Sequence, residues 1–178
     1  MSRRKSTKTS QTNGRGKLVV KALAVFAATY GALMTIVFFW GRPVEHYLNL
    51  WTAKTSAWGL WLLGANGLAH GDVVESAVSS VRIISECTAL YPAVIFVSAV
   101  VASPATWRHK MLAAFGVPLL AIVNLVRIVS LCYIGHWFPQ AVDVAHYVVW
   151  QSLMVFCTVV LWLLWAARSG SPHEPSAA

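Results

Sequence analysis

Charge is what this sequence has least of. Charged residues make up 11% of its 178 positions, and only six of them are acidic. An ordinary soluble domain carries roughly 25% charged residues. Cysteine is also scarce, with three in all and no two close in sequence. That excludes a CxxC redox pair and a cysteine-rich metal ribbon, and it makes a quinone-linked thiol oxidase a poor reading. A Cys132–Cys157 disulfide is left open. Zinc-finger spacing, a Rossmann glycine pattern and a P-loop are absent too, so no metal or organic cofactor is called for.

What is present is apolar. Hydrophobic residues account for 57% of the chain, and mean hydropathy is +0.61. A soluble core of this size could not absorb so much apolar surface, so the excess faces lipid. The net charge of +8 could suggest nucleic acid, but its placement argues otherwise. Arg3, Arg4, Lys5, Lys8, Arg15 and Lys17 all precede the first apolar run. A basic stretch before a span orients a membrane protein, so the partner is the lipid bilayer and not nucleic acid. The first run, Leu18 to Trp40, is longer than a signal-peptide core of about 7–15 residues. It ends in Phe38-Phe39-Trp40 instead of a small-residue cleavage site, and reads as a retained span.

A helix needs about 20 mostly apolar residues to cross about 30 Å of hydrocarbon. Four segments meet or approach this: 18–40, 88–104, 111–134 and 146–167. The expected fold is an all-α polytopic membrane protein with four transmembrane helices. Aromatic residues near the segment ends (Trp40, Trp107, Tyr133, Trp137, Tyr147, Trp165) fit an interfacial belt. Residues 1–17 read as a disordered cytoplasmic tail, 18–167 as one transmembrane catalytic domain, and 168–178 as a cytoplasmic C-terminal tail. The stretch 45–70 mixes Trp58 and Trp61 with Gly59, Gly64, Asn66 and Gly67. It is expected as an interfacial or re-entrant helix on the outer side. Residues 71–86 are too polar to span. Val73-Val74 and Val81 to Ile84, flanking Ser79-Ser80, suggest a short β-hairpin.

Charge sets the expected orientation. Arg108, His109 and Lys110 place the loop between the second and third spans inside. Residues 71–86 and 135–145 then lie outside the cytoplasmic membrane, with Glu45, Asp72, Glu75, Glu86 and Asp143 among the outer segments.

Three reactive or charged side chains then reach one level near the outer face. Cys87 stands where an outer segment enters a span, His146 where the next outer loop enters the last span, and Arg127 inside the third. A buried arginine at a helix centre costs about 2.5–3.5 kcal/mol on insertion scales, so it faces the bundle interior or a wet cavity. Asn124 lies three residues earlier on the same face. The bland readings are an Arg127–Glu86 structural pair, a small buried Cys87, and a His146 that caps a helix near Asp143. His136, also at the outer boundary, is a rival to His146. Cys132 and Cys157 have apolar neighbours and read as packing residues. A thiolate is a nucleophile, but a free thiol needs activation. A histidine can take its proton and pass it to a leaving amine, and an arginine can stabilise an oxyanion. The set reads as acyl transfer through a thioester. Glu86, beside Cys87, opposes thiolate formation, and Arg127 or Arg82 would offset it.

The run Glu86-Cys87-Thr88-Ala89, then Asn124-Leu125-Val126-Arg127-Ile128, then His146 heading the final helix, resembles the exosortase/archaeosortase family over roughly residues 50–167. The short chain resembles the compact exosortase H branch. The resemblance implies a multi-pass cysteine transpeptidase that cleaves C-terminal sorting signals of exported proteins: a motif, a transmembrane helix and a basic cluster. It implies Cys87 as nucleophile, Arg127 as transition-state stabiliser and His146 as acid/base. Asn124, Glu86, Thr88 and Asp143 would support them. The acceptor would be water, a lipid amine or another group. Ala89 stands where family members commonly have glycine, so a turn needing positive φ there would be strained. The competing reading is a non-enzymatic membrane assembly or transport factor, in which Arg127 and Asn124 join helices and Cys87 is dispensable.

Overall fold

The computed structural model describes residues 4–169, with side-chain surroundings from residue 16 onward. The C-terminal tail expected over 168–178 therefore lies almost wholly outside the described residues. Helix α1 runs Arg4–Trp40. It starts well before the apolar run, where composition leads one to expect a structureless tail. Extending an existing helix adds one hydrogen bond per residue without a new nucleus, so a polar segment can continue an apolar helix.

Among the described residues, three helices are long and apolar enough to cross a membrane: Gly16–Trp40, Trp107–Trp137 and Val144–Ser169. The chain is a multi-pass membrane protein. Where the fourth span is expected, 88–104, stands a shorter apolar helix, α3, Leu90–Ala102, of 13 residues. At 1.5 Å per residue that is about 20 Å, short of the hydrocarbon thickness. Both ends have local causes. Pro104 follows the last turn and disfavours helix in the residue before it. At the start, Thr88 is extended at φ −94, ψ 165. Its hydroxyl donates to the Ser85 carbonyl at 2.8 Å and accepts from the Leu90 N–H at 3.3 Å.

The segment expected as an interfacial or re-entrant helix forms a wall of the bundle. Helix α2, Arg42–Leu62, buries Ala53, Ser56, Ala57 and Leu60. The small ones among them, Ala53, Ser56 and Ala57, let its backbone approach a neighbouring helix closely. Ala53, Ala57 and Leu60 join Ile128, Val129 and Cys132 in one core with Val74 of the sheet and Ile83 just beyond it. Helix α2 ends at Gly64, whose φ of 80° suits glycine. The Gly64 N–H bonds the Trp61 carbonyl at 3.0 Å and the Ala65 N–H bonds Leu60 at 2.9 Å.

Where a two-stranded hairpin is expected, three short strands form an antiparallel sheet in the order β1-β2-β3. They are β1 Leu68–His70, β2 Val73–Glu75 and β3 Ser80–Arg82. Gly71, with φ 64°, and Asp72 make the first turn, a glycine-first pair suited to a tight hairpin. In the second turn the Ser76 hydroxyl donates to the Ser79 carbonyl at 2.9 Å and accepts its N–H at 3.1 Å. Ser80 therefore lies in a strand, not in the turn. The Ala77 N–H bonds the Ala65 carbonyl at 2.8 Å and ties this turn to the end of α2.

Gly67 sets the approach of the sheet to α2. A methyl group there would overlap the Ala57 carbonyl oxygen and meet Leu60 Cβ at 2.8 Å. Gly67→Ala is expected to lower the midpoint of thermal unfolding in detergent by roughly 5 °C. An unchanged midpoint would mean that sheet and helix separate freely.

The remaining elements are α4, Trp107–Ala113, α5, Gly116–Trp137, and α6, Gln151–Ser169. Pro118 in the first turn of α5 lacks the N–H that would continue the α4 ladder, and the junction tightens to i→i−3 bonds such as Val117 to Ala114 at 3.3 Å. A π-helical segment, Val144–Trp150, leads into α6. The far end of α6 is fastened by indole N–H bonds from Trp162 to the Ser103 hydroxyl at 3.1 Å and from Trp165 to the His109 carbonyl at 2.8 Å.

Candidate active site

Arg127 and Asn124 sit three residues apart on α5, and their side chains are both buried, at 3% and 2% exposure. Their partners differ. One terminal nitrogen of Arg127 (Nη2) lies 2.8 Å from His146 Nε2. The Asn124 side-chain amide donates to the Cys87 carbonyl at 2.7 Å, across 37 positions of sequence. Cys87 closes the 3₁₀ turn Ser85–Cys87, with its own N–H bonded to the Ile84 carbonyl at 2.8 Å. The backbone of Cys87 is thus held from α5, and His146 is held to the next turn of the same helix.

The π-helical turn matters for His146. Such widened turns recur at functional sites, and here one carries the imidazole on the segment Val144–Trp150. Guanidinium has five donors and no acceptor. Nε2 must therefore accept the Arg127 bond, which fixes a neutral ring with its proton on Nδ1.

Cys87, Arg127 and His146 all line one cavity of about 340 Å³. One wall is Ser79, Ser80, Val81 and Ile83 from the sheet region, and another is Leu131 and Gly135 from α5. No carboxylate lines it, so the Arg127 guanidinium is its one full charge. Such a pocket favours a developing anion, whether thiolate or oxyanion.

The other named residues fall as follows. Thr88 is buried, and its hydroxyl shapes the turn between Cys87 and α3. Ala89 has φ −80°, so alanine is unstrained there and no glycine is required. Glu86 is exposed and forms no ion pair among the described residues. The Arg127–Glu86 pair is thus replaced by Arg127–His146. Asp143 is exposed beside the π-helical segment and makes no side-chain cap. His136 is exposed against Trp137, with ring centroids 6.4 Å apart, and does not line the cavity. All three cysteines are free, so the Cys132–Cys157 disulfide does not form. Cys132 is 1% exposed within the α2–α5 core.

Sequence reasoning places residues 45–86 around an outer pocket but gives Ser79, Ser80 and Val81 no individual role in it. Ser79, Ser80 and Val81 carry no chemical motif, and only the strand pairing brings them to Cys87. Leu131 and Gly135 were open to inference, since they follow Arg127 at intervals of four on one helix face.

A family model described as transmembrane exosortase matches residues 16–166 of the chain. No curated protein and no solved structure matches it.

Proposed function

Because this chain belongs to the transmembrane exosortase family, we propose that it is a membrane-embedded cysteine protease/transpeptidase that cleaves C-terminal sorting signals of exported proteins. The observation that carries this reading is the shared cavity of Cys87, Arg127 and His146, with the arginine–imidazole bond at 2.8 Å inside it.

Cys87 is the nucleophile, His146 the acid/base and Arg127 the oxyanion stabiliser. Before substrate binds, the lone pair of His146 Nε2 is occupied by Arg127. A scissile carbonyl entering the cavity takes up the guanidinium donor, and Nε2 is released. The Cys87 thiol then gives its proton to Nε2, and the sulfur attacks the carbonyl carbon. Arg127 holds the negative oxygen of the tetrahedral adduct. The C–N bond breaks, the imidazolium protonates the leaving amine of the anchor fragment, and a thioester remains on Cys87. Water, a lipid amine or another nucleophile gives a proton back to His146 and releases the acyl group. Thiol, imidazole and guanidinium suffice, with no metal or organic cofactor. Asn124 keeps the Cys87 backbone fixed through these steps.

The site faces the extracytoplasmic side of the cytoplasmic membrane in this reading, in which the short α3 completes a crossing and the basic residues Arg108 and Lys110 mark the opposite end as cytoplasmic. A membrane-impermeant maleimide applied from outside is expected to label Cys87 and neither Cys132 nor Cys157, and acidification is expected to suppress the labelling. Labelling that reaches Cys132 as readily, or that leaves Cys87 untouched, would reject the assignment.

A further inference from the structure

Strand β3 is one of the two edges of the sheet, and it lines the cavity together with Arg127 and His146. The direction of its free hydrogen-bonding groups follows from register. Val81 lies opposite Val74. The flanking bonds, Ile83 N–H to Asp72 at 2.7 Å and Ser76 N–H to Ser79 at 2.9 Å, belong to the same ladder. Antiparallel pairs alternate between bonded and non-bonded positions, so residues 79, 81 and 83 turn their backbone groups toward β2. The N–H and C=O of Ser80 and Arg82 point the other way. Both residues are exposed, and among the described residues no hydrogen bond is made to those groups.

An unpaired edge is a template for another strand, and this one opens beside the thiol. The substrate's own chemistry asks for such a template. A peptide bond inside a helix has its carbonyl engaged in an i→i−4 bond and is closed to attack. A segment entering a membrane anchor must therefore unwind at the scissile bond. Unwinding near hydrocarbon leaves backbone groups that need partners.

We infer that the segment of an exported substrate immediately preceding its membrane anchor binds as an added fourth strand on the free edge of β3, bonded to the backbone of Ser80 and Arg82, which delivers the scissile carbonyl to Cys87. This rests on the transpeptidase reading and adds its mode of substrate recognition. Main-chain bonds supply the binding, and alternate side chains of the bound segment face the cavity. Side-chain discrimination then falls on every second residue of the motif.

Ser80→Pro tests this. The substitution removes one outward N–H and leaves the inner ladder whole, since proline is tolerated on an edge strand with that side free. The probe is an exported reporter ending in a motif–helix–basic cluster segment from the same genome. Its cleavage is expected to fall roughly tenfold in Ser80→Pro, as for loss of a backbone bond from a binding strand. Maleimide labelling of Cys87 is expected to stay unchanged. Undiminished cleavage by Ser80→Pro overturns the inference. If Ser80→Pro loses Cys87 labelling, the decision passes to crosslinking. In a Cys87→Ala background, Ser80→Cys is paired with single cysteines placed at successive reporter positions ahead of the anchor. Disulfides at alternate positions support strand addition, and none, or an unbroken series, overturns it. Cleavage that survives Cys87→Ala would instead reject the transpeptidase reading itself.

Discussion

Cys87→Ala is expected to end processing of a C-terminally anchored reporter, lowering the rate by about four orders of magnitude or more, as for loss of a nucleophile in a coupled catalytic set. No neighbouring group replaces the thiol. The described lining of the cavity offers serine hydroxyls at Ser79 and Ser80 but no second sulfur. Cys132→Ala is the matched control. Its sulfur is 1% exposed in the α2–α5 core, so it is expected to cost some stability and leave the cleavage rate unchanged. The measurement is the fraction of reporter shortened over time, read by gel mobility. Normal processing in Cys87→Ala would favour the membrane assembly factor, in which the thiol is dispensable.

Arg127→Met separates catalysis from architecture. Replacing a buried ion by an apolar side chain of similar length is often neutral or stabilising, whereas leaving a buried partner charged and alone is costly. His146 in the Arg127 pair is neutral, because its Nε2 accepts the bond, so no charge is orphaned. The variant is expected to fold, with an unfolding midpoint equal to or above that of the parent. Its cleavage rate is expected to fall by about 10²–10³, the loss typical of one oxyanion donor. A glue residue between helices would give the opposite pattern, with a lowered midpoint and a rate that follows the folded fraction. Arg127→Lys keeps the charge but not the planar fork, and should recover only part of the activity.

The parts of the molecule legible in the sequence are those written in long apolar runs. The runs beginning at Leu18, near Met111 and at His146 carry the three helices long enough to span. Positions 87, 127 and 146 all line one cavity, as expected from counting four crossings. Hydropathy fails where the deciding feature is local. It does not see Thr88 and Pro104 cutting α3 to 13 residues. Nor does it see that Ala53, Ser56 and Ala57 suit α2 to a close helix contact, since small residues add little to a hydropathy sum. Strands of three residues are too short for a period-two pattern. The Gly71-Asp72 pair was the available signal for β1, and the Ser79-Ser80 pair drew attention away from it. The Asn124 bond to the Cys87 carbonyl spans 37 positions and has no local signature. The motif marks both residues, and only their packing says what one does for the other.

The widened turn before α6 gives the imidazole a reading frame. The far end of α6 is fixed by the Trp162 and Trp165 indoles, so the rotational phase of everything upstream is counted from there. One residue fewer between His146 and Gln151 would restore regular α-helix, and the ring would turn by about 100° and slip about 1.5 Å. Substitutions in that interval are therefore more readily absorbed than single-codon deletions. The length of this short stretch is a stricter inheritance than its composition.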